Sequence, residues 1–203
     1  MKPSQLVRIF LFSIAGLLPA VSNAQSTILV FGDSLSAGYG IPREAAWPSL
    51  LQAELQHTHP HYKVINASVS GETTSGGVQR LPATLKEHHP SIVIIELGAN
   101  DGLRGTPLDV TEKSLDMLIR QAQNTQARVL LLGMQLPPNY GMDYTKRFKS
   151  LYPKLAQRHR IALVPFMLEG IAAEQFQADN LHPTAEAQPK ILKTVMQKLK
   201  PML

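Results

Sequence analysis

Cysteine does not occur anywhere in the 203 residues. Its absence excludes disulfides, thiolate metal sites, a cysteine nucleophile and lipid attachment through an N-terminal Cys. Charge is sparse, at 17% Asp, Glu, Lys and Arg, with a formal net charge of +5. The cations are scattered, with no basic stripe interleaved with aromatics, which argues against a nucleic-acid partner. Neither phosphate-cradling glycine motif occurs, G-x-x-x-x-G-K-[ST] or G-x-G-x-x-G. Beyond residue 24 no apolar run approaches the roughly 20 residues that span a bilayer. Internal repeats, low-complexity tracts and interdomain linkers are missing too. What is left is one globular domain that relies on its core alone for stability.

The first 24 residues differ from the rest. Lys2 and Arg8 give a positive start, Ile9–Leu18 is nearly all apolar, and Ser22-Asn23-Ala24 supplies small residues for a signal peptidase. This is the pattern of a secretory leader, with cleavage expected after Ala24. Residues 1–24 are thus expected to be a signal peptide and residues 25–203 the mature domain, periplasmic or secreted. The leader holds two cations and no acid, so the mature charge falls from +5 to +3.

Downstream, short apolar runs alternate with helix-period stretches. Strands are expected at Thr27–Phe31, Tyr62–Asn66, Ser91–Leu97, Arg128–Met134 and Ile161–Phe166. Trp47, Leu50, Leu51 and Leu55 share a helix face, as do Val78, Leu81 and Leu85, with Pro82 at the start of that helix or kinking it. Leu115, Leu118, Ile119 and Ala122 form a third stripe, and Leu192, Val195, Met196 and Leu199 a fourth. Strands separated by helices imply a parallel sheet covered on both faces, with ligands beyond the carboxyl ends of the strands.

The residues after those strands are small and polar: Gly32-Asp33-Ser34, Asn66-Ala-Ser-Val-Ser-Gly71, Gly98-Ala-Asn100-Asp101, and, before the last helix, Asp179-Asn-Leu-His182-Pro183. Pro183 suits a first helical turn, so His182 is expected near an N-cap, where histidine is a poor structural choice. Asp179, three residues earlier, is within reach of the imidazole. Such a pair fixes the tautomer and frees the other ring nitrogen as a general base. Ser34 then has two readings, a helix cap or a nucleophile. The second needs oxyanion donors, and the Ser34 amide, the Gly71 amide and the Asn100 side chain are candidates. Asp33 and Asp101 read best as carboxylates that hold loops by accepting backbone amides. Two rivals stay open on these residues alone: a metal-dependent phosphoesterase using Asp33, Asp101, Asp179 and His182, and a non-catalytic binding module. His57, His59 and His61 read as solvated loop residues rather than metal ligands.

Taken together, GDSLSAGYG, NASVSGETTSGG, ELGANDGLRG and DNLHP resemble the four blocks of the SGNH (GDSL) hydrolase family, with Ser34, Gly71, Asn100 and His182 at the defining positions. The likeness runs through residues 27–200. It implies a flavodoxin-like three-layer α/β/α sandwich with a five-stranded parallel sheet. It implies Ser34 as nucleophile, His182 as base, Asp179 as orienting carboxylate, and an oxyanion hole of Ser34, Gly71 and Asn100, without cofactor or metal. Expected substrates are acyl esters, acyl thioesters or lysophospholipids, acted on by a monomer. By the same likeness the acyl pocket is expected to use Leu35, Trp47, a glycine-rich Thr73–Gly77 loop with Thr73 and Thr74, and the Leu136–Gly141 loop with Leu136, Pro137 and Tyr140, with Trp47 reading equally well as a core residue.

Overall fold

The computed structural model describes residues 25–203. The expected leader and its cleavage point lie outside the described residues. Five strands, β1 (Ser26–Gly32), β2 (Tyr62–Asn66), β3 (Ile92–Glu96), β4 (Arg128–Leu132) and β5 (Ala162–Val164), form one sheet in the order β2-β1-β3-β4-β5. Every pairing is parallel, for example Ile28 with Val64 on one side and with Ile92 on the other. Ile28–Phe31 and Ile92–Ile95 have no exposed surface. Continuous apolar strands of this kind are what a sheet buried on both faces selects.

The helices are α1 (Ser34–Ala37), α2 (Trp47–Thr58), α3 (Thr74–His88), α4 (Ala99–Leu103), α5 (Leu108–Asn124), α6 (Met142–His159) and α7 (Gln188–Leu199). α2 packs beside α7, whereas α5 packs between α3 and α6 on the opposite face. The expected stripes turn inward: Trp47, Leu51 and Leu55, Leu81 and Leu85, Leu115, Leu118, Ile119 and Ala122, and Leu192, Val195 and Leu199 are buried, while Leu50, Val78 and Met196 are partly buried against the core. Each large aliphatic side chain removed from water this way contributes about 1.5–3 kcal/mol before entropy. Pro82 lies well inside α3 and not at its start. Proline has no N–H, so the carbonyl one turn back loses its helical donor. The Gln121 side chain of α5 takes that place, donating to Val78 O at 3.1 Å. Among the described residues, no helix is long and apolar enough to cross a membrane.

The strand order reverses direction of growth between β1 and β3. In doubly wound sheets the crevice for ligands opens at that point, beyond the carboxyl ends. Ser34 follows β1 and Asn100 follows β3. Topology alone therefore puts two of the expected site residues side by side.

Candidate active site

Gly32 ends β1 with no room for a side chain: a Cβ there would lie 2.6 Å from Glu96 Oε2 and 2.9 Å from Ser36 Oγ. Asp33 then caps α1, its Oδ1 accepting the Leu35 amide at 3.0 Å. Ser34 is the first residue of that turn, so its amide has no helical acceptor. The block after β2 is stitched to it. Ser68 Oγ accepts the Gly32 amide at 3.0 Å, and Asn66 Nδ2 donates to Ser36 O at 2.8 Å. Arg80 stacks over the Phe31 ring at 4.0 Å, donates to Ala67 O and pairs with Glu72, holding the far end of the same loop.

His182 Nε2 stands 2.8 Å from Ser34 Oγ, and its Nδ1 stands 2.6 Å from Asp179 Oδ2. The other Asp179 oxygen accepts the amides of Leu181 (2.9 Å) and His182 (3.0 Å). Desolvation pushes the Asp179 carboxyl up. The His182 hydrogen bond and the two amides outweigh it, bringing the group down to about 2. An ionised acceptor at Nδ1 puts the ring hydrogen there and leaves the Nε2 lone pair facing the serine hydroxyl. Tyr39 packs against the same ring with centroids 4.6 Å apart. The expected N-cap position for His182 is not found. The chain after it runs through a 3-10 turn at Ala185–Ala187, and α7 starts only at Gln188. His182 is held instead by its carbonyl, which accepts the Gln177 amide, and by a bridge between Phe176 and Pro183. A turn stitched to Phe176 and Gln177 aims the imidazole, and sequence spacing carries no signal of that.

Gly71 adopts φ +79, a left-handed conformation that L side chains rarely take. Its space is open, since the nearest atom to a built Cβ would be Arg104 Nη2 at 3.8 Å. Glycine is thus required here for its backbone conformation and not to make room for a neighbour. Among the described residues, neither the Ser34 nor the Gly71 amide is engaged by another group. Asn100 differs: its Nδ2 donates to Asp33 Oδ2 and to Glu72 O, both at 3.0 Å. To act on an oxyanion it must give up one of those partners.

Ser34, Gly71, Asn100 and His182 all line one cleft of about 440 Å³. Leu35, Leu136 and Pro137 line it as expected, and Leu103, Met134 and Phe166 extend its apolar wall over the ends of β4 and β5. The remaining expected pocket residues lie outside that lining. Trp47 has no exposed surface and belongs to the core under α2. Thr73 is the N-cap of α3, accepting the Gly76 amide, and Thr74 is buried with its hydroxyl and amide both on Asp101. The Thr73–Gly77 segment is a helical first turn, not a closing loop. Gly77 is small because the Leu97 and Phe31 side chains press against it. Tyr140 sits on a partly exposed 3-10 turn beside the cleft.

Of those four side chains only Asp33 and His182 line the cleft, whereas Asp101 is held by Thr74 and Asp179 lies behind His182. The four side chains of a metal-dependent phosphoesterase, Asp33, Asp101, Asp179 and His182, are therefore not brought together. Two groups escaped the sequence reading. Tyr39 lies against the histidine. Glu96 is a carboxyl with no exposed surface, directly under the nucleophile turn.

The chain is similar to known proteins along most of its length. The model of the GDSL-like lipase/acylhydrolase family matches residues 30–188. The chain is 47% identical to Esterase TesA of Pseudomonas aeruginosa, with 89% of this chain and 90% of the relative covered. It is 41% identical to Thioesterase 1/protease 1/lysophospholipase L1 of Escherichia coli strain K12, with 96% and 92% covered. Among solved structures, the psychrotrophic esterase EstA from Pseudoalteromonas sp., inhibited by monoethylphosphonate, superposes with a TM-score of 0.83. It is 38% identical, over 87% of this chain and 98% of that one.

Proposed function

The chain belongs to the GDSL-like lipase/acylhydrolase family, and from that premise we propose that it hydrolyses acyl esters and thioesters through an acyl-enzyme on Ser34. The observation that carries this reading is the unbroken relay Asp179–His182–Ser34, at 2.6 and 2.8 Å, whose serine and histidine line the apolar cleft.

Ser34 Oγ attacks the substrate carbonyl carbon while His182 Nε2 takes the hydroxyl proton. The carbonyl oxygen becomes an oxyanion, met by the Ser34 and Gly71 amides and by one Asn100 N–H released from Glu72 O. The imidazolium, stabilised by ionised Asp179, gives its proton to the departing alkoxide or thiolate. Water, deprotonated by the same Nε2, then attacks the acyl-enzyme and regenerates Ser34. Each oxyanion donor supplies about 10²–10³ in rate. No step requires a cofactor. The apolar wall toward Met134 and Phe166 takes the acyl chain, and the exposed side near Gly71 takes the leaving group. The breadth of the relatives' names, esterase and lysophospholipase among them, supports aryl esters, acyl thioesters and lysophospholipids as the substrates to try.

The leader pattern of residues 1–24 supports export, with a monomeric mature domain of residues 25–203 working outside the cytoplasm.

A fluorophosphonate probe tests the nucleophile. One label per chain, lost in Ser34→Ala together with hydrolysis of p-nitrophenyl butyrate, is the expected result. Hydrolysis that survives Ser34→Ala overturns the reading.

A further inference from the structure

Glu96 and Asp33 are two carboxyl side chains with no exposed surface, side by side beneath the nucleophile turn. Glu96 Oε2 accepts the Asp33 amide at 3.2 Å and the Ser36 hydroxyl at 2.7 Å. Its other oxygen, Oε1, receives no N–H or O–H among the described residues. Asp33 receives the Leu35 amide on Oδ1 and the Asn100 amide on Oδ2. The Asp33 amide on Glu96 Oε2 sets the two buried groups against each other, and two carboxylates buried side by side cannot both be ionised, so the pair holds a proton. The donor count says where it sits. The oxygen with no donor is the one that carries a hydrogen, and the group with an N–H on each oxygen is the one that keeps the charge.

We propose that Glu96 is a neutral acid that donates to Asp33, and that the single charge on Asp33 positions Asn100 as an oxyanion donor. The inference rests on the serine-hydrolase reading given above. Asp33 Oδ2 and Glu72 O flank the Asn100 amide, and both can only accept. The amide therefore cannot rotate its carbonyl into their place. One hydrogen stays anchored on Asp33, and the other, on Glu72 O, is the one exchanged onto substrate. Asp33 thereby does for Asn100 what Asp179 does for His182. Gly32 belongs to the same device, because a side chain there would strike the Glu96 carboxyl.

The surroundings agree. Burial, and then the Asp33 charge, push Glu96 well up. Burial also lifts Asp33, to about 6, against the opposing pull of the Leu35 amide, His182 and Asn100. From α6, Tyr152 faces the pair with its hydroxyl donated to Leu97 O. Its own ionisation is pushed well up by burial and by Glu96, Asp101 and Asp33. Among the described residues, no lysine or arginine lines the cleft beside them.

A double-mutant cycle on p-nitrophenyl butyrate tests the inference. Asp33→Asn places a second amide against Asn100, and loss of a charge-assisted hydrogen bond predicts a kcat lower by about 10–100-fold. KM should stay within about threefold, because the loss belongs to the transition state. Asp33→Asn added to Asn100→Ala should cost no more than about threefold beyond Asn100→Ala alone. Losses that multiply in full overturn the inference. Glu96→Gln keeps a neutral donor and an acceptor, so its kcat should stay within about threefold of wild type. A Glu96→Gln enzyme as slow as Asp33→Asn overturns the charge assignment. Should Asp33→Asn fail to fold, infrared spectroscopy of the wild type decides. A protonated-carboxyl band that persists at pH 8 and vanishes in Glu96→Gln supports the neutral acid, and its absence at pH 8 overturns it. Fluorophosphonate labelling of each variant separates the two levels. Failure of the wild type to label sinks the serine reading, whereas labelled variants with fully multiplicative losses sink only the carboxyl pair.

Discussion

Replacing Asp179 by asparagine exchanges one oxygen for an amino group, yet it reverses the hydrogen pattern of the imidazole. In the wild type the carboxylate is ionised throughout the neutral range, since it titrates at about 2. Its Oδ2 can only accept, so Nδ1 bears the hydrogen and Nε2 faces Ser34 Oγ with a lone pair. The backbone amides of Leu181 and His182 already claim Oδ1. In Asp179→Asn the new side chain keeps its carbonyl oxygen on those amides and turns its amino group toward Nδ1. The ring answers by moving its hydrogen to Nε2, where it faces the serine as a donor. Ser34 then has no base, and the imidazolium loses its counter-charge. The same reversal predicts a fall in kcat on the order of 10⁴, with KM within a few-fold. The loop should hold, because both amide bonds to Oδ1 survive, so Tm should move by no more than a few degrees. The assay is steady-state hydrolysis of p-nitrophenyl butyrate at pH 7.5 beside a thermal melt. An Asp179→Asn enzyme with kcat within threefold of wild type refutes the relay. A large loss of Tm would show that the carboxylate is structural instead.

Three further outcomes follow from the packing and charge. Trp47→Ala removes a fully buried ring outside the cleft, so a stability loss of about 3–5 kcal/mol by urea denaturation is expected. The acyl-length preference should be unchanged in that variant, and a shift in it would restore Trp47 to the pocket. Gly71→Ala forces a side chain into φ +79 at a cost of about 1–2 kcal/mol, so the loop should relax and kcat fall while His182 and Ser34 stay paired. Unchanged kcat would remove the Gly71 amide from the oxyanion hole. Burial pushes Asp116 up, but hydrogen bonds from Arg120, His159 and Arg158 prevail and bring it from 3.8 to about 2. A lowered carboxyl contributes stability that is full above its unfolded value and is lost as pH falls through its folded one. Acid melts should therefore lose this contribution between about pH 4 and pH 2, and Asp116→Asn should lack that slope, with an unchanged slope counting against the network.

The strands were readable because a doubly buried sheet demands unbroken apolar runs, and IVII in β3 supplies one. The residue ending that run, Glu96, was the overlooked signal, because an ionisable side chain closing a fully buried strand must have a purpose. The order of the small polar blocks pointed to Ser34, Gly71 and His182, which the fold brings to one cleft. Other features depend on tertiary partners that a single segment does not reveal. GETTSGG has the composition of a loop, yet Thr73 caps a helix and Gly77 makes room for Leu97 and Phe31. Trp47 was equally at home in pocket and core by composition, and only the packing of α2 against α7 decides for the core. The orientation of Asn100 depends on a carboxylate 67 residues away.

The bond between Ser34 and His182 joins positions 148 residues apart. A ribosome adding about 5–20 residues per second takes roughly 7–30 s to cover that distance. Through that interval the nascent chain carries Ser34 without the histidine proposed as its base. On the proposed relay, hydrolysis waits for the C-terminal segment to dock, and an unfinished or truncated chain is expected to be inert toward acyl esters. The split of one relay between the two ends of the polypeptide makes activity a report of complete synthesis and folding.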